Sequence, residues 1–122
     1  MLNTNLGSIE AHFADLIWQN QPIHSRELAK LCAEELNWKR PTAYNVLRKL
    51  CEKGIFQNNN GIVSSCISRQ EFYAIRGEHL VEEAFDGSLP AFVAAFTAHK
   101  KLSEQEIQEL TDIIHQGRSE RL

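Results

Sequence analysis

The chain has 122 residues and a formal net charge of −3, with 43% hydrophobic and 24% charged residues. That length supports one or two small domains with a modest core, and no apolar run approaches a membrane span. An acidic chain is not a general binder of polyanions, so any nucleic-acid contact must come from one local basic face.

The first ten residues, MLNTNLGSIE, hold neither a basic n-region nor an apolar h-region, so no signal peptide is expected and a cytoplasmic location is. Cys32, Cys51 and Cys66 are odd in number and widely spaced, which argues against a disulfide framework in that compartment. Cys32 and Cys51 fall at core-like positions of their helices.

Taken in chain order, Ser8 reads as an N-cap with Glu10 in the first turn. Ile9, Phe13, Leu16 and Ile17 follow at helical spacing, giving a helix over 8–20 that Asn20-Gln21-Pro22 breaks. Ile23 fits either a short strand or a residue packed under the loop. Ser25 reads as the cap of a second helix with Leu28, Leu31, Cys32 and Leu36 as its buried stripe. Asn37 and Trp38 then turn the chain into a third helix, with Pro41 near its start and Gly54 where a left-handed C-cap is expected.

This third helix sets the function. Val46, Leu47 and Leu50 share one face, while Arg40, Thr42, Tyr44, Asn45, Arg48 and Lys49 occupy the other. Between Leu36 and Lys53 there are five basic side chains against Glu52 alone. Two helices joined by a short turn, the second basic and polar outside, match a helix-turn-helix. Ile55-Phe56-Gln57 reads as a strand, Asn58-Asn59-Asn60-Gly61 as a turn and 62–67 as the return strand, which together form a β-wing. The asparagines at its tip suit either turn chemistry or contact with phosphates and a minor groove.

The remaining sequence is helical. Ser68-Arg69-Gln70-Glu71 is a capping box opening a helix that Asp86-Gly87 stops, with Gly77 weakening but not ending it. Ser88 caps a short helix carrying Leu89, Phe92, Val93 and Phe96. Ser103-Glu104-Gln105-Glu106 is a second capping box, opening a helix with Ile107, Leu110, Ile113 and Ile114 that Gly117 ends. Three amphipathic helices in some fifty residues bury their own faces poorly, and a two-fold homodimer is the commonest remedy. The expected fold class is mainly α with a small β-wing. A winged helix-turn-helix domain is expected over 1–68 and a helical dimerisation domain over 69–122. Residues 1–68 hold seven basic and six acidic side chains, and 69–122 hold six and ten.

In order and spacing the chain resembles the penicillinase-repressor family. The matching pieces are Ile17-Trp18, Leu36-Asn37-Trp38, Thr42, the spaced Val46-Leu47 and Leu50, and Lys53-Gly54-Ile55. They continue with Ser68 to Tyr73, Phe85-Asp86-Gly87-Ser88-Leu89 and Leu102 to Ile107. The resemblance implies a homodimeric repressor of transcription on a palindromic double-stranded DNA operator. DNA contacts carried over from it are Pro41, Thr42, Tyr44, Asn45 and Arg48, with Lys39 or Arg40 at the helix entry. It also implies that a sensor protease could cut near Ala95-Phe96. Lys39-Arg40-Pro41 stands where the family often has Ser or Thr, which points to a different operator. No cysteine follows Cys66, which argues against the copper-responsive branch.

On this reading Asn45 suits adenine and Arg48 guanine, while Lys39, Lys49 and Lys53 suit phosphates. The alternative is a metal- or redox-responsive regulator on the same scaffold, using Cys32, Cys51, Cys66, His12, His24, His79, His99 and His115. Their spacing forms no Cys-x-x-Cys or His-x-x-x-His cluster, so neither metal nor cofactor is expected. No phosphate loop, nucleophile elbow or metalloprotease motif occurs, and Glu34-Glu35 and Glu82-Glu83 diverge on their helices, so the chain is not expected to be an enzyme. A winged helix that binds protein instead of DNA is disfavoured by the basic face.

Overall fold

The structure, a computed structural model, describes residues 2–119. The elements run α1 (Ser8–Asn20), β1 (Ile23–His24), α2 (Ser25–Leu36), α3 (Arg40–Glu52), β2 (Phe56–Asn59), β3 (Ile62–Ser65), α4 (Arg69–Phe85), α5 (Leu89–His99) and α6 (Glu104–Ser119). The strands make one antiparallel sheet in the order β1-β3-β2, with Ile23 opposite Val63 and Phe56 opposite Ser65. Ile23 therefore belongs to a strand.

The chain divides into two compact units after His79. The expected break after Ser68 marks the start of α4, whose first half contributes to the first unit. Phe72 explains this, because it is fully buried in the same core as Phe13, Ile17, Leu28, Cys32, Leu50 and Phe56. Trp18 binds that core together. Its ring lies 5.2 Å from Phe56 and 5.5 Å from Phe72, and its indole N–H donates to the Ile67 carbonyl at 3.0 Å. Trp38 stacks on Phe13 at 5.3 Å, which holds the turn between α2 and α3 against α1.

Two caps differ from the sequence expectation by one residue. Gly7, not Ser8, is the N-cap of α1, and its amide donates to the Glu10 carboxylate at 3.0 Å. His24, not Ser25, caps α2, its Nδ1 accepting from the Arg26 amide at 3.1 Å. In α2 the longer histidine side chain reaches the amide that a serine hydroxyl was expected to serve, while in α1 the Glu10 side chain reaches back to the N-cap amide itself. The wing is also tighter than expected. β2 continues through Asn59, β3 ends at Ser65, and only Asn60 and Gly61 form the turn, with φ of 52° and 92°. That pair of positive φ values suits the twist of a two-residue hairpin.

In the second unit Ser88 caps α5, its hydroxyl accepting from the Ala91 amide at 3.1 Å. Ser103 and Glu106 form the reciprocal capping box of α6, at 3.1 and 2.9 Å. α6 runs past Gly117 to Ser119, because glycine weakens a helix without forbidding it. A Cβ at Gly77, inside α4, would likewise meet nothing within 4 Å. No described side chain from residue 80 to 117 is fully buried. Phe96, Leu110, Ile113 and Ile114 are 45%, 42%, 62% and 65% exposed. Phe92, Phe96, Leu102 and Leu110 line a groove of about 350 Å3.

Candidate nucleic-acid interface

The turn before α3 is built by Asn37, whose left-handed backbone (φ 56°) closes α2 and lets the Trp38 amide reach back to the Cys32 carbonyl. Asparagine is one of the few non-glycine residues that takes this conformation readily. α3 then opens on Lys39, which caps it without a side-chain bond, with Pro41 in its first turn. The free amides and the positive end of the helix dipole lie at this entry beside Lys39 and Arg40. At the other end Gly54, with φ of 83°, lets the Ile55 amide bond the Leu50 carbonyl at 3.2 Å.

Ala43, Leu47 and Leu50 form the buried face of α3, and Val46 is only partly covered. Lys39, Arg40, Pro41, Thr42, Asn45, Arg48 and Lys49 are all exposed. Tyr44 is half-buried against the core, so less of its ring is presented outward than the sequence suggests. Among the described residues, no ion pair engages Lys39, Arg40, Arg48 or Lys49. The helix thus offers a polar, cationic surface whose charges are not neutralised from within.

The wing is fastened beside this helix pair. The Ser25 amide donates to the Gly61 carbonyl at 2.7 Å, and the Asn58 carboxamide oxygen accepts from the Gly61 amide at 2.9 Å. Asn58 thus serves the turn through its carboxamide oxygen, and Asn58, Asn59 and Asn60 are all exposed.

The family model for the penicillinase repressor matches residues 6–116, nearly the whole chain. The chain belongs to the penicillinase-repressor family. The penicillinase repressor of Bacillus licheniformis is 20% identical over 118 residues, covering 93% of this chain and 92% of that protein. A MarR protein of Staphylococcus aureus, solved in complex with salicylate and kanamycin, aligns with a TM-score of 0.46 at 18% identity. That match covers 93% of this chain and 72% of the other. Family membership and the winged-helix architecture together support a DNA-binding transcriptional repressor.

In this repressor the remaining candidate residues are dispersed. Cys32 is fully buried and its thiol is pushed up to about 11 by that burial. Cys51 is half-buried and also raised, chiefly by burial, whereas Cys66 is exposed. His24 caps α2 and His79 bonds Thr4. No group of three His, Cys, Asp or Glu side chains able to hold a metal occurs among the described residues. No helix among them is long and apolar enough to cross a membrane. Ala95 and Phe96 lie within α5, both exposed, with Phe96 lining the apolar groove.

Lys53 is engaged within the fold. Its ammonium donates to the Asn5 carbonyl at 2.5 Å and pairs with Glu10 at 3.7 Å, leaving the side chain 22% exposed. It is turned into the fold, not outward beside Lys49. Sequence reasoning missed this because Asn5 and Glu10 lie more than forty residues away in the chain, and nothing in the local spacing around Lys53 points to them.

Proposed function

We propose that this repressor acts as a homodimer on an inverted-repeat operator, each copy laying α3 in a major groove. The observation that carries the reading is the exposed face of α3 from Lys39 to Lys49, whose cations pair with no carboxylate among the described residues. Asn45 is suited to bidentate pairing with adenine, and Arg48 to guanine. Lys39, Arg40 and Lys49 serve the phosphates and set register, while Pro41, Thr42 and the outer edge of Tyr44 complete the surface. The uncovered apolar faces of α5 and α6 supply the reason to dimerise, since a two-fold partner would bury them. The site of action is the cytoplasm. Loss of repression follows cleavage by a sensor protease near Ala95-Phe96, which lies on that same apolar surface.

Selection of bound duplexes from a random library, at stated salt, tests this. An inverted repeat is the expected product. Asn45→Ala and Arg48→Ala should each weaken binding by about 1–3 kcal/mol and relax preference at one base pair per half-site. Unchanged affinity and unchanged preference in both variants would reject the assignment.

A further inference from the structure

The first residues of the chain follow no helical or strand period, yet Thr4 is 4% and Leu6 8% exposed. They are held from two sides. On one side, the Asn3 amide donates at 2.9 Å to the carbonyl of Lys53, the residue that caps the end of α3. The Lys53 ammonium returns to the Asn5 carbonyl and pairs with Glu10, whose carboxylate also caps α1 through Gly7. On the other side, the Thr4 hydroxyl and His79 Nδ1 share a hydrogen bond of 3.0 Å across seventy-five residues of sequence. Arg76 adds a longer bond to the Leu6 carbonyl at 3.4 Å.

The segment therefore runs from the last turn of α3 to the middle of α4. A helix end leaves carbonyls without partners, and here one of them is answered by the segment itself. A buried hydroxyl that loses its partner costs more than the bond gained, so Thr4 and His79 resist separation.

We propose that residues Asn3 to Leu6 form a strap that fixes the end of the recognition helix, with Lys53 and Thr4 as positioning residues and not DNA contacts. This rests on the operator-binding reading given above. Lys53 is a cation at the end of a basic helix, so a phosphate contact is the competing role. The two roles differ in their response to salt. Each phosphate neutralised adds about 0.9 to the slope of log affinity against log salt, because counterions are released. A lysine engaged inside the protein releases none.

The test is operator affinity over a salt series for the full chain and for Lys53→Met, Thr4→Val, their double variant and Thr4→Ser, with the fold of each followed by circular dichroism. Each of the first two should bind about three- to tenfold more weakly with an unchanged salt slope. The double variant should bind no more weakly than the weaker single, since both cut one strap. Thr4→Ser, which keeps the hydroxyl, should bind like the parent. A Lys53→Met slope shallower by about 1.8, which is about 0.9 for the phosphate lost in each of the two copies, would make Lys53 a phosphate contact and overturn the proposal. Parent-like binding by Thr4→Val would overturn it as well. If Thr4→Val fails to fold, the slope of Lys53→Met decides alone. A parent protein with no sequence preference would defeat the operator-binding reading itself, a result distinct from either of these.

Discussion

The His24 ring lies directly against Gly61, so that a Cβ added to this glycine would stand 2.8 Å from the His24 Nε2. The same imidazole caps α2 through its Nδ1. Gly61 also has a φ of 92°, which side chains rarely tolerate. Gly61→Ala should therefore strain the wing turn and push His24 off its cap together, lowering stability by about 1–3 kcal/mol. A denaturant titration read at the transition midpoint checks this, and an unchanged midpoint would contradict the coupling of wing and α2.

Trp18 offers a second measure of how the first unit is assembled. Its indole N–H serves the Ile67 carbonyl just before α4 begins, while its ring packs on Phe56 and Phe72. Trp18→Phe keeps an aromatic ring but leaves that carbonyl without its donor. A loss of about 1–3 kcal/mol in thermal or denaturant unfolding is expected.

The cysteines should separate cleanly by reactivity. Cys66 is exposed and should react with a thiol reagent at once in the native protein at pH 8. Cys32, buried and raised to about 11, should react only on unfolding. The sign of the linked stability follows from the raised value. The folded state holds the Cys32 proton more tightly than the unfolded chain, so this contribution is complete below the ordinary thiol range. It is lost as pH rises from about 9 toward 11. Comparing the alkaline stability profile of the parent with that of Cys32→Ala isolates it, and parallel profiles would show no such linkage.

The apolar surface of the second unit predicts an oligomeric change. Phe96→Glu or Ile113→Glu puts a carboxylate on a face now 45% or 62% exposed in the single chain. For the proposed homodimer, either should shift sedimentation from dimer to monomer and weaken binding to the proposed inverted repeat, because the two half-sites are then bound independently. A variant that sediments like the parent would move the dimer contact elsewhere.

Much of this arrangement is written in short-range chemistry. Both ends of α3 and the starts of α5 and α6 were legible from Pro41, Gly54, Ser88 and the Ser103–Glu106 box, because capping acts within three or four residues. The exposed basic face of α3 was legible for a similar reason, since Leu47 and Leu50 fix which side of one helix turns inward. What escaped is long-range. His24 takes the cap expected of Ser25, with its ring lying against Gly61 of the wing. Lys53 turns inward because Asn5 and Glu10 meet it there, and neither proximity leaves a trace in local spacing. Phe72 draws the start of α4 into the first unit for the same reason, through Trp18.

Gly77 sits in the middle of α4 with open space where a methyl group would go. An alanine there would favour the helix by about 1 kcal/mol. No steric demand explains the glycine, so the fold carries unused helix-forming capacity at this point. A hardier version of the protein is thus one substitution away, at a site remote in sequence from every residue assigned to DNA.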